Sequence, residues 1–192
     1  MHSLIAMGNE QKPLTQSITW ADNRASRHAE EIRQQHHGHE IYKRTGTPIH
    51  PMSPLSKIYW LKDEHPEIYQ QATKYIDIKS YVLYQLYGRY VMDHSIASAT
   101  GMMDLETLTW DKPALDLLGI TPEQLPELVP TTYILKGMKQ RYATLLGLNK
   151  ETPVVIGASD GVLSNLGVNS FKKGEVAVTI GTSGAIRTVI DH

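Results

Sequence analysis

The chain has 192 residues, 41% hydrophobic and 20% charged, with a formal net charge of −1 and no cysteine. That length suits one large domain or one and a fraction, and the lack of cysteine excludes disulfides and thiolate metal sites, as a reducing cytoplasm favours. No long basic run offers a footprint for nucleic acid, and nothing reaches the ~18 consecutive apolar residues of a membrane span or the basic-then-apolar start of a signal peptide, so a cytoplasmic globular protein is expected.

In chain order, MHSLIAM at 1–7 reads as a strand, GNEQKP as a turn and LTQSITW at 14–20 as a second strand. The first strand starts in the middle of an apolar segment and has no upstream partner. Asp22 is placed to cap a helix from about Asn23 to His37, with Gly38 as its stop. A proline-marked loop, GTPIHPMSP at 46–54, precedes an amphipathic helix through Ile58, Trp60 and Leu61 that His65-Pro66 breaks. A short helix follows around Ile68 to Thr73. Residues 76–87 form the most apolar helix, with Ile78, Val82, Leu83 and Leu86 at helical spacing and Gly88 as its end. The segment 89–111 reads as loop with short regular pieces. Small helical units are expected at Pro113–Leu118, after Thr121-Pro122-Glu123, and near Lys139–Leu146. The chain closes as strand, Asp160, helix, strand, Gly-Thr-Ser-Gly turn and strand. Alternating helices and strands give an α/β class with a mixed sheet.

The chemistry concentrates in that closing region, PVVIGASDGVLSNLG…VAVTIGTSGAIRTVI. An apolar strand ends in Gly157-Ala158-Ser159 and delivers one carboxylate, Asp160, at the end of the sheet where ligands of open α/β folds sit. Asp160 can act as a general base or simply serve the start of the helix that follows. Gly181-Thr182-Ser183-Gly184 can offer N–H groups and hydroxyls to phosphate oxygens, or be a hairpin turn whose glycines supply positive φ. No Walker-type loop is present. At the other end, His2 and the group Trp20, Asp22 and Arg24 lie at the ends of the first two strands. If those strands are neighbours, an imidazole, an indole, a carboxylate and a guanidinium converge, a mixture suited to a polyhydroxylated ligand; the alternative is a helix cap with a surface arginine. His28, His36, His37 and His39 do not make a metal site, because neighbouring positions on a helix face different directions. The tyrosines at 81, 84, 87 and 90 read as core and rim packing.

MSPLSKIYWLKDE at 52–64 resembles the segment pattern of the FGGY family of carbohydrate kinases, with Met52, Pro54, Lys57, Ile58, Trp60, Leu61, Asp63 and Glu64 in allowed classes. ITWADNRA at 18–25, YVMDHSIASATGMMD at 90–104, LGITPEQLPELVP at 118–130, PVVIGASDG and TIGTSG extend the resemblance along the chain in the expected order. It implies an actin-like ATPase, ribonuclease-H-like α/β fold, here incomplete: residues 1–170 as the N-terminal sugar-binding domain without its first strands, and 171–192 as the start of the C-terminal nucleotide-binding domain. The active site would lie in the cleft between the two.

The implied activity is transfer of the γ-phosphoryl of ATP, with Mg²⁺, to a hydroxyl of a sugar, polyol or sugar acid. Asp160 matches the catalytic base, Gly181, Thr182 and Ser183 match the turn that meets the nucleotide, and Met1, His2, Trp20, Asp22 and Arg24 match the sugar-contacting segments. Lys57 and Trp60 belong to the recognition pattern and read as structural. The MHSLIA start with ITWADNR is most similar to members acting on D-gluconate, with xylulose next, and Arg24 is then a candidate partner for the substrate carboxylate. A non-catalytic sugar-binding remnant is the rival from another class. The implied partners are a small sugar acid and ATP, with neither nucleic acid nor membrane, and a homodimer is open for the full-length enzyme. The family's D-x-G-T phosphate segment is not in these residues and members continue past His192. The expectation is a central fragment, inactive alone, with unpaired strand edges and exposed apolar surface.

Overall fold

The computed structural model describes residues 1–181 and 184–190; Thr182 and Ser183 of the expected phosphate turn lie outside the described residues. The chain divides into two compact units, Met1–Gly157 and Ala158–His192.

The first unit is built around a helix whose sequence is the recognition segment itself. Pro54 opens α3 (Pro54–Glu64) at a position that needs no N–H donor. The helix is buried on nearly every face: Leu55, Ser56, Lys57, Ile58 and Leu61 are all at most 1% exposed. A helix segment enclosed in this way must fit several neighbours at once, which accounts for the specified positions up to Leu61; Lys62, Asp63 and Glu64 of its last turn are exposed. Around α3 pack α1 (Ser26–Gln35), α4 (Pro66–Gln71) and α7 (Lys112–Leu118), with α2 (Gly38–Thr45) against α1. Ala29, Ile32, Ile41, Ile58 and Leu118 belong to one apolar cluster.

Strand β1 (Ile5–Met7) pairs antiparallel with β2 (Lys74–Ile76), matching Ile5 to Ile76. β3 (Val91–Asp93) runs parallel to β4 (Glu127–Val129), and β5 (Ile134–Leu135) antiparallel to β6 (Val154–Val155). Helices and strands alternate as the α/β class requires, but the described strands stand in separate two-stranded sheets, each of one sense, and the mixed sheet expected from the sequence does not form among them. Two buried carboxylates set helix starts here. Asp93 opens α6 (His94–Ser98) by accepting the Ile96 N–H at 3.2 Å and also takes the Lys79 ammonium at 2.6 Å. Asp111 opens α7 through the Ala114 N–H and holds Arg44 of α2 at 2.6 and 3.0 Å.

Four local expectations are corrected. Asp22 does not cap α1, whose N-cap position is Ala25; its carboxylate accepts the Arg24 N–H two residues on, at 3.0 Å. Gly38 opens α2 instead of ending a chain segment, since His37 takes the left-handed turn at φ 54° and a Cβ on Gly38 would stand 2.7 Å from the Ile32 carbonyl. Residues 14–20 form no ladder; Ile18 makes one antiparallel bridge, to Leu4. The apolar helix α5 (Ile78–Tyr87) begins after its cap Asp77, leaving Lys74–Ile76 to β2, and Ile78 and Val82 are exposed while Ser80 and Leu83 are buried.

In the first unit α8 (Gln140–Leu146) follows Lys139, and Gly147 ends it in the left-handed region. The second unit holds α9 (Asp160–Gly167) and the hairpin β7 (Val176–Ile180) with β8 (Gly184–Thr188), in register from Val176–Thr188 to Ile180–Gly184. Among its described residues Ala177 is the one buried hydrophobic side chain, and Ile180 and Ile186 are 86% and 77% exposed.

Candidate functional site

In the first unit the site grows from the meeting of two chain ends. Leu4 and Ile18 exchange backbone hydrogen bonds of 3.0 and 2.8 Å, which brings His2 beside Thr19. Beneath them Lys57 rises from α3, only 1% exposed. Its ammonium donates to the carbonyls of His2 at 2.6 Å, Thr19 at 2.8 Å and Ile18 at 3.3 Å. All three donors of the ammonium are spent on backbone, so Lys57 ties the two segments together and leaves the chemistry to their side chains.

Burial takes the Lys57 ammonium down to about 8 from its ordinary 10.5. The unfolded chain therefore keeps this proton to higher pH than the folded one, and stability rises with pH between about 8 and 10.5. Lys74, also lowered by burial, acts in the same direction. The tyrosines oppose them. Burial pushes Tyr59 and Tyr90 up to about 12, so above about pH 10 the folded chain holds protons the unfolded chain releases, and stability falls. Denaturation midpoints measured from about pH 7 to about pH 11 are expected to pass through a maximum near pH 10.

His2 adopts φ 60°, in the left-handed region that a non-glycine residue enters at a cost. Its Nδ1 is buried without a partner among the described residues. Burial, aided by the positive charges of the amino terminus, Lys57 and His50, lowers its affinity for a proton, against the Ala99 carbonyl beside the ring. His2 lines a cavity of about 460 Å³ together with Thr47, His50, Met52, Ser53 and Ser98.

Asp22 and Arg24 line a second cavity, of about 410 Å³, with Trp60 and His65. The Arg24 Nε donates to Asp22 at 2.9 and 3.0 Å and Nη2 at 2.5 Å. Its guanidinium stands 4.5 Å over the Trp60 ring, which meets the His65 ring edge-on at 4.8 Å. This pairing holds the Asp22 carboxyl below its usual range and raises Arg24. The expected convergence is therefore one of backbones: the side chains of His2 and of Asp22–Arg24 face separate cavities. Trp20 is 66% exposed and Met1 is exposed beside it in sequence to His2.

In the second unit Asp160 is the first residue of α9, behind the N-cap Ser159. It is exposed, and its Oδ1 accepts the N–H of Gly161 at 2.9 Å, which leaves Oδ2 without a bond among the described residues. A Cβ on Gly161 would lie 3.3 Å from the Nε of Arg187 on β8, so the missing side chain gives a guanidinium its place beside the start of α9. Arg187 also donates to the Thr179 hydroxyl at 3.2 Å. Gly181 follows the last residue of β7, exposed to solvent.

Among the described residues one group has donor spacing for a metal, His28, Asp63 and Glu64. The Arg27 Nη2 already sits on it, at 3.2, 2.7 and 2.8 Å from the three. With a guanidinium in the cation position and an imidazole among the donors, this group does not fit Mg²⁺, which prefers oxygens and water. Sequence reasoning did not single out Thr47 and His50, which share the proline-marked loop 46–54, or Ser98 of α6 as lining one cavity, since they carry no motif of their own.

The first unit thus carries a cavity walled by imidazoles and hydroxyls and an acid–arginine pair beside an indole, and the second unit a carboxylate at the start of a helix. The pattern of the FGGY family of carbohydrate kinases, N-terminal domain, matches residues 1–167, and the chain belongs to that family. It is 60% identical over 191 residues to a gluconokinase of Bacillus licheniformis, an alignment spanning all of this chain and 37% of that protein. Among solved structures it is similar to gluconate kinase from Lactobacillus acidophilus, with TM-score 0.96 and 44% identity over 100% of this chain and 39% of that one. Ligand-bound xylulose kinase from the same organism gives 0.95 and 44% over 98% and 38%. The fold is thus that of the actin-like FGGY kinases, and the chain spans under two fifths of the length of these relatives.

Proposed function

We propose that this chain supplies the sugar-holding and proton-accepting parts of an ATP-dependent kinase that converts D-gluconate to 6-phosphogluconate in the cytoplasm. The observation that carries the reading is Asp160, whose open Oδ2 stands at the head of α9 while Oδ1 is fixed by Gly161. The substrate's terminal hydroxyl gives its proton to Oδ2 as its oxygen attacks the γ-phosphorus of ATP; the bond to the bridging oxygen breaks and ADP leaves. ATP supplies the phosphoryl group, and the turn beginning at Gly181, with Thr182 and Ser183, is assigned to its phosphates. Met1, His2, Trp20, Asp22 and Arg24 are assigned to the sugar. Residues 1–170 would form the N-terminal domain and 171–192 open the nucleotide domain. No step is assigned to Mg²⁺, for which the described residues hold no fitting donor set.

The gluconate assignment draws on the 60% identity to a gluconokinase, because the two Lactobacillus structures, similar to this chain at the same 44%, bear different substrates in their names. The test is ATP turnover with D-gluconate and with D-xylulose in the full-length kinase that carries this chain. Faster turnover per unit concentration is expected with gluconate. Preference for xylulose would replace the substrate, and sugar binding without turnover of either would favour a non-catalytic binding protein.

A further inference from the structure

A sugar acid differs from a neutral sugar by its carboxylate, and the residue expected to hold that group is already engaged. Arg24 spends Nε and Nη2 on Asp22 and lays its face on Trp60. The other cavity has open polar groups. Resting on the reading above, we propose that the cavity beside β1 takes the carboxylate end of the substrate, with the Nε2–H of His50 as the specificity-determining donor.

The tautomer of His50 follows from its neighbours. The Met52 N–H donates to His50 Nδ1 at 3.2 Å, so Nδ1 presents a lone pair and the neutral ring carries its proton on Nε2. That N–H has no partner among the described residues. The loop that carries the exposed ring is anchored to the start of α3, because the His50 carbonyl accepts both the N–H of Ser53 at 3.0 Å and its hydroxyl at 2.8 Å. His2 adds the second open position, its buried Nδ1, on a backbone held at φ 60°. Strain of this kind persists where the surrounding structure over-determines it, and Lys57 supplies the constraint through the His2 carbonyl.

The charge of the cavity fits an anion. None of its lining residues is Asp or Glu, and the Lys57 ammonium lies directly behind His2. Thr47 does not compete for the open positions, since its hydroxyl donates to the Ser98 carbonyl. In this assignment the carboxylate accepts from the His50 Nε2–H and a hydroxyl of the same substrate donates to His2 Nδ1. A neutral sugar offers no charge to the same donor and loses the stronger, charge-assisted bond.

The experiment compares D-gluconate with D-glucitol, which carries CH₂OH where gluconate has its carboxylate, by calorimetric titration of the full-length kinase that carries this chain. His50→Asn keeps an oxygen where Nδ1 accepts the Met52 N–H but has no donor at the position of Nε2. It is expected to cut the preference for gluconate over glucitol about tenfold. His50→Gln, whose amide nitrogen reaches farther, should retain more of that preference than His50→Asn. Full preference in His50→Asn, or its loss in Arg24→Ala instead, overturns the proposal. Gluconate phosphorylated by wild type with an unchanged ratio in His50→Asn removes this inference alone. Wild type that neither binds nor phosphorylates gluconate removes the functional reading with it.

Discussion

Asp160→Asn in the full-length kinase is expected to lower turnover by about 10²–10⁴, the usual contribution of a positioned base. Asparagine is the informative replacement because its side-chain oxygen can still accept the Gly161 N–H now bound at 2.9 Å, so α9 keeps its first turn. What disappears is the open carboxylate oxygen and its capacity for a proton. The loss should fall on kcat, with the KM for the sugar changed by only a few-fold, because a group that acts only in the transition state lowers kcat and kcat/KM together. Single-turnover measurement with saturating ATP and gluconate separates the chemical step from product release. Turnover within tenfold of wild type would return Asp160 to the bland reading, a carboxylate serving its own helix.

That bland reading is what makes Asp160 instructive about the sequence. A strand running into Gly-Ala-Ser-Asp-Gly announces a strand end and a helix start, and both are found, with Ser159 as N-cap and α9 behind it. Local pattern located the carboxylate because everything that places it lies within a few residues. The recognition helix was legible for a different reason. From Pro54 to Leu61 its pattern is the imprint of burial, while Asp63 and Glu64 are exposed and pair with Arg27.

The cavity lined by His2 and His50 was not legible, and the reason is again physical. The loop carrying Thr47 and His50 meets His2 and Ser98 only through tertiary packing, and no spacing in the chain encodes that. Residues 1–7 and 14–20 read as two strands, with their pairing left as a condition. What forms is a single bridge at Leu4–Ile18, with the ladder of β1 going to Lys74–Ile76. The short run Lys74–Ile76 was hidden inside a helical pattern because Ile76 and Ile78 look continuous until Asp77 is recognised as a cap. Gly38 misled in the same way, since a glycine after a helix can start the next one when the residue before it takes the left-handed turn.

Lys57→Met is expected to weaken gluconate binding roughly tenfold to a hundredfold while moving the melting temperature little. Methionine fills the space of the lysine stem and donates nothing. Ile18 and Thr19 keep backbone partners for their carbonyls, Leu4 at 3.0 Å and Asp22 at 3.2 Å, so the carbonyl of His2 alone loses its donor. That loss costs about 1–3 kcal/mol. It is offset by removing an ammonium that burial disfavours by about 3 kcal/mol, as its pKa near 8 against 10.5 implies. The two terms are of one size, so a melting shift below about 4 °C is expected. Binding has no such compensation. With its carbonyl released, His2 relaxes from φ 60°, and the ligand must restore a conformation worth about 1–3 kcal/mol. The rise in stability between about pH 8 and 10.5 should shrink in the same variant, since its main source is gone. Calorimetry with gluconate and denaturation against pH read the two effects separately. Unchanged affinity beside a flattened pH profile would show that the lysine is buried as inferred but that His2 needs no such hold to meet the sugar. Reduced affinity with a large melting shift would make Lys57 a folding residue first, its effect on the sugar following from the loss of α3.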